Sequence, residues 1–91
     1  MGKVDVELGA LVREYRLKVG MTQLELSKKL GYESMQFVSL FERGLSKIPL
    51  KVVGKLVVIL SIPEKKATKA LLDSIKTEII EQIKEGKKSV S

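Results

Sequence analysis

Gly20, Gly31, Gly44, Pro49 and Pro63 divide this chain into five segments of helix size, and that punctuation limits the fold more than any other feature. In the first segment, about Val4 to Val19, Val6 or Leu8, Leu11, Tyr15 and Val19 recur at three- and four-residue steps, which predicts an amphipathic helix. Gly20 is a good stop. Thr22-Gln23-Leu24-Glu25 reads as a capping box, with the Thr22 hydroxyl on the Glu25 N–H and the Glu25 side chain returning to the Thr22 N–H. That second helix runs to Leu30 and stops at Gly31. Ser34 is the expected N-cap of a third helix, 34–42, closed by Gly44. A fourth begins around Pro49, a residue suited to the first helical position, and continues to Leu60. Its Val52, Val53, Leu56, Ile59 and Leu60 fall at helical spacing, so a buried helix is preferred over a strand. Pro63 starts a fifth and longer helix, Glu64 to about Glu85. The expected fold class is all-α, with no alternating segment bounded by hairpin turn residues.

Composition removes whole classes of chemistry. The 91 residues contain no Cys and no His, so thiol nucleophiles, disulfides, the usual zinc sites and imidazole acid–base catalysis are excluded. A hard-metal site would have to come from the 11 carboxylates, and no EF-hand type of loop is present. No nucleophile–base pair is visible. The reading therefore assigns no catalytic residue, no metal and no cofactor, and expects no enzyme.

Seventeen Lys/Arg against 11 Asp/Glu give a net charge of +6, and nucleic acid leads the anionic partners that such a balance favours. Residues 1–60 hold 10 basic and 6 acidic residues, residues 61–91 hold 7 and 5, so the excess leans toward the first part. The opening Met-Gly-Lys-Val-Asp lacks the apolar region of a signal peptide. The longest apolar run, Leu56 to Leu60, is far short of the ~20 residues of a membrane span. A cytoplasmic protein with no membrane partner is expected.

Between residues 23 and 42 two short helices flank a tight Gly-containing turn, the helix-turn-helix arrangement whose second helix enters the major groove. On a helix from Ser34 to Glu42, Phe37, Val38 and Phe41 share an inward face. Gln36, Ser39, Leu40 and Arg43, at i, i+3, i+4 and i+7, share the outward one. A Gln at residue 36 can pair its amide with adenine N6 and N7. The alternative reading of Gln36, Arg43 and Lys47 is ordinary solvated surface, and a helix phase one residue off would put Met35 and Leu40 in the core.

With Leu11, Arg16, Gly20, Thr22-Gln23-Leu24-Glu25-Leu26, Leu30-Gly31, Val38-Ser39, Glu42-Arg43-Gly44 and Pro49 in this order, residues 8 to 60 resemble the lambda-repressor/Cro, or XRE-type, helix-turn-helix family. The resemblance implies a five-helix lambda-repressor-like domain with a long C-terminal helix, and double-stranded DNA as partner. It implies that Gln23 contacts phosphate beside Thr22, at a helix N-terminus suited to anions. It further implies that Met35, Gln36 and Leu40 face base edges with Ser34 and Ser39 beside them, and that Arg43 and Lys47 lie along the sugar-phosphate backbone. Arg16 and Glu42 match a partly buried structural ion pair. Three features depart from the family: a turn 31–34 one residue longer, Ser27 where Ala is usual, and a reading face poor in polar groups. Met35 and Leu40 would there meet thymine methyls, or specificity would lean on DNA shape.

The expected organisation is a DNA-binding domain over 1–62, a C-terminal helix over 63–86 and a disordered tail over 87–91. Leu71, Leu72, Ile75, Ile79, Ile80 and Ile83, with Ala67, form a broad apolar stripe on the last helix. It is expected to join two copies, because one motif covers only a half-site. The bland alternative is a helix that only completes the monomer core. The function so read is a sequence-specific transcriptional regulator, a repressor by the family's commoner mode. The rivals are an antitoxin-like module whose C-terminal helix meets a protein partner, and a non-specific binder acting through charge alone.

Overall fold

The computed structural model describes residues 5–90, and they form five helices and no strand: α1 (Val6–Lys18), α2 (Gln23–Leu30), α3 (Gln36–Glu42), α4 (Leu50–Leu60) and α5 (Glu64–Val90). Val4, the expected start of the first helix, lies outside the described residues, as does Ser91 at the end of the expected tail. None of the helices is long and apolar enough to cross a membrane.

The core gathers a few residues from each helix. Leu8, Val12 and Tyr15 of α1 meet Leu26 and Leu30 of α2, Val38 and Phe41 of α3, and Val52, Val53, Leu56 and Leu60 of α4. Ala67 and Ala70 of α5 close it, with Leu71 packed alongside. The inward stripe of α1 thus runs through Leu8, Val12 and Tyr15, with Leu11 on its margin. Of the two alternatives Val6 and Leu8, Leu8 is the buried one, since Val6 begins the helix; Val19, expected on that stripe, is exposed because it belongs to the turn after Lys18.

Two contacts bring α1 against the far end of the motif. Gly9 lies where α1 crosses α3: a Cβ built there would stand 2.0 Å from the Phe41 carbonyl oxygen. Only a residue without a side chain permits that approach. Asp5 precedes α1 in a left-handed conformation (φ 47°), and its carboxylate, which does not cap the helix, accepts the Ile48 N–H at 2.9 Å. The loop between α3 and α4 is thereby tied to the start of α1.

α5 begins in the core and leaves it. Lys66 donates to the Tyr15 hydroxyl at 3.2 Å, and the only buried α5 residues are Ala67 and Ala70. From Ile79 onward every described side chain is exposed. Residues 87–90, expected in a disordered tail, continue the helix to Val90. Gly86 costs a helix only about 1 kcal/mol, and Lys87 and Lys88 sit where the helix dipole favours cations.

Candidate nucleic-acid interface

The first motif helix is closed at both ends by local chemistry. Thr22 Oγ1 accepts the Glu25 N–H at 3.0 Å and Glu25 Oε1 accepts the Thr22 N–H at 3.0 Å, completing the capping box. Hydrogen bonds from the Thr22 backbone, then from its hydroxyl, hold the Glu25 carboxyl below the usual carboxylate range. At the other end Gly31 is left-handed (φ 90°). The Tyr32 N–H reaches the Ser27 carbonyl at 2.9 Å and the Gly31 N–H that of Lys28 at 3.1 Å. This double closure turns the chain out of α2 within one residue.

The second motif helix starts later than its sequence suggests. α3 begins at Gln36 with Met35 in the capping position, so Ser34 lies one residue before the cap. Its hydroxyl still accepts an otherwise unpaired donor, the Gln36 N–H, at 3.3 Å. Val38 and Phe41 point inward as expected. Phe37 does not: it is 46% exposed, and its ring stacks on Tyr32 with centroids 4.9 Å apart. Val38, Phe41 and the Glu42 side chain already fill the inward side, leaving Phe37 on the flank.

One carboxylate fixes α3 to both neighbouring helices. Arg16 Nε and Nη2 donate to Glu42 Oε2 and Oε1 at 2.6 and 2.9 Å, and Gln23 Nε2 donates to Glu42 Oε1 at 3.0 Å. Arg16 Nη1 also donates to the Met21 carbonyl at 2.9 Å. The Arg16 and Glu42 side chains retain only 8% and 2% exposure. The hydrogen bonds to Glu42 raise the Arg16 pKa against the opposing effect of burial. A planar guanidinium holding both carboxylate oxygens fixes orientation as well as distance.

The residues expected to meet DNA are all exposed or half-buried: Thr22, Gln23, Ser34, Met35, Gln36, Ser39, Leu40, Arg43 and Lys47. Met35, Gln36, Ser39, Leu40 and Arg43 lie together along α3, where Arg43 Nε donates to the Ser39 carbonyl at 3.3 Å. Gln23 is set apart, with its amide engaged by Glu42. Lys47 forms an ion pair with Glu78 of α5. The apolar α5 residues Leu72, Ile75, Ile79, Ile80 and Ile83 are exposed, while Leu71 packs on the core.

Sequence reasoning missed Asp5, Gly9 and the Tyr32–Phe37 stack. A glycine inside a helical pattern was a usable signal for close packing at Gly9. Asp5 gave none, because its partner Ile48 lies 43 residues away.

The helix-turn-helix family model matches residues 12–65, more than half of the chain. No curated protein matches the sequence. Among solved structures, the restriction-modification controller protein C.AhdI from Aeromonas hydrophila is similar at 28% identity and a TM-score of 0.61, over 69% of this chain and 94% of that one. The clp gene regulator ClgR from Corynebacterium glutamicum shares the fold at 21% identity and a TM-score of 0.63, over 94% of this chain and 87% of that one. The DNA-binding domain of BldD does so at 20% identity and a TM-score of 0.59, over 74% and 97%. With the capping box, the Gly31 turn and the clamped second helix in place, this chain belongs to the XRE-type helix-turn-helix family of DNA-binding regulators.

Proposed function

We propose that the protein is a sequence-specific transcriptional repressor that lays α3 in the major groove of a short operator and blocks polymerase there. The observation that carries this reading is the division of α3: Val38, Phe41 and Glu42 anchor it, while Met35, Gln36, Ser39, Leu40 and Arg43 stay accessible on a rigid rod. Gln36 reads adenine through its amide, and Met35 and Leu40 meet thymine methyls. Thr22, Gln23, Ser34, Arg43 and Lys47 set the register on the backbone without reading sequence. The amide of Gln23 is shared with Glu42, so its phosphate contact comes from its backbone N–H at the start of α2. Two copies are needed for a two-fold operator, and the exposed Leu72, Ile75, Ile79, Ile80 and Ile83, continued inward by Leu71, supply an apolar joining face.

Selection of bound duplexes from a randomised pool at ~0.15 M salt, with Gln36→Ala in parallel, tests the reading. A palindromic consensus that the variant relaxes at one position supports it. The exposed α5 face also favours a second reading, a protein partner for that helix. A chain that sediments as a monomer at micromolar concentration and enriches no duplex would favour that alternative.

A further inference from the structure

We infer that Phe37 is a specificity-determining residue that reads the C5-methyl group of a thymine, held in place for this by Tyr32; the inference rests on the regulator reading above. Phe37 is the second residue of α3 and stands between the reading face proposed above and the core. At about 100° per residue, Phe37 and Leu40 are surface neighbours three residues apart, with Gln36 beside both. Met35 is exposed on the other flank. An exposed ring is therefore continuous with the residues a helix-turn-helix protein presents to bases, and that continuity selects the DNA edge as its occupant.

The ring is fixed rather than loose. It stacks on Tyr32 at 4.9 Å and 29°, and both rings lean on the buried Phe41, at 6.2 Å from Phe37 and 6.3 Å from Tyr32. A three-ring cluster rooted in the core leaves little side-chain freedom to be lost on binding. A phenyl edge has no hydrogen-bonding group, so it cannot pair with guanine, cytosine or adenine edges. In the major groove the one apolar feature is the thymine methyl. A Gln that pairs with adenine beside a ring that covers a methyl is a surface suited to adjacent A·T pairs.

The test uses the full chain and the duplex it enriches from the randomised pool, with each thymine replaced in turn by uracil, which removes only the methyl. The expected result is one thymine per half-site, apart from those met by Met35 and Leu40, whose replacement weakens wild-type binding about fourfold, the effect of burying one such carbon. The same replacement leaves Phe37→Ala unaffected, keeps part of its effect in Phe37→Leu, and loses most of it in Tyr32→Ala. A folding defect in any variant lowers affinity for both duplexes and cancels in their ratio. The inference is overturned if no thymine responds to loss of its methyl, or if Phe37→Ala keeps the full ratio at every thymine that does. It is also overturned if Phe37→Ala changes the mass of the free protein in sedimentation, since the ring would then join copies of the chain. In these three cases specific binding and the regulator reading survive, although silence at every thymine also removes the methyl contacts of Met35 and Leu40. If no duplex is enriched, the regulator reading falls and this inference falls with it.

Discussion

Arg16 of α1 and Glu42 of α3 meet through two hydrogen bonds, at 2.6 and 2.9 Å, with almost no solvent access to either side chain. Glu42 is the last residue of the helix proposed to read DNA, so the pair sets the angle at which that helix leaves the core. Removing one partner leaves a buried charge uncompensated, which costs about 3–5 kcal/mol. Glu42→Ala should lose that much in urea unfolding followed by circular dichroism. Replacing both partners by apolar residues should cost much less than the sum of the single changes.

Gly9→Ala tests the crossing of α1 and α3. Alanine is the better helix former by about 1 kcal/mol, which argues for stabilisation. Against it, the new Cβ would stand 2.0 Å from a backbone carbonyl that has no rotamer to escape into. Overpacking of about 1–3 kcal/mol should prevail, and the melting temperature should fall. Gly54→Ala is the control. In the interior of α4 nothing among the described residues lies within 4 Å of its Cβ position, so that variant should gain about 0.5–1 kcal/mol.

Ser27→Ala should stabilise the protein. Ser27 is fully buried in α2 and its hydroxyl has no hydrogen-bond partner among the described residues. An unsatisfied buried hydroxyl costs about 1–3 kcal/mol, and alanine removes it while raising helix propensity. A fall in denaturation midpoint on this substitution would contradict the packing described for α2.

The Lys47–Glu78 ion pair joins the loop after α3 to α5. In the proposed complex Glu78 would compete with phosphate for the lysine, so Glu78→Gln should tighten DNA binding and steepen the dependence of log K on log salt by about one unit. Stability should change by less than about 1 kcal/mol, as is usual for an exposed pair. Unchanged salt dependence in titrations from 50 to 200 mM salt would remove Lys47 from the contacts.

What could be read in the sequence divides by distance along the chain. The capping box, the Gly31 stop and the inward Val38 and Phe41 are consequences of spacing within one or two turns, and all are present. The Arg16–Glu42 pair, 26 residues apart, was legible only because the order of motifs resembles a known family. Nothing local announces that Asp5 holds Ile48, and Gly9 within a helical pattern signals a close approach without revealing that the Phe41 carbonyl makes it. Phe37 was misplaced for a different reason. Periodicity assigns a face, but the face that is buried depends on where the helix starts and what already fills the core. α3 starts two residues after Ser34, and Tyr32 supplies a stacking partner that periodicity cannot see.

The most direct test of the central claim is a paired titration at ~0.15 M salt of the enriched duplex and a scrambled duplex of the same composition. Sequence-specific reading by α3 predicts that the enriched duplex binds at least about a thousandfold more tightly, in the range found for specific over non-specific binding. Gln36→Ala should reduce that ratio by roughly five- to a hundredfold, the equivalent of one bidentate base contact. Equal affinity for the two duplexes, with the same steep salt dependence for each, would contradict the account and leave binding through charge alone.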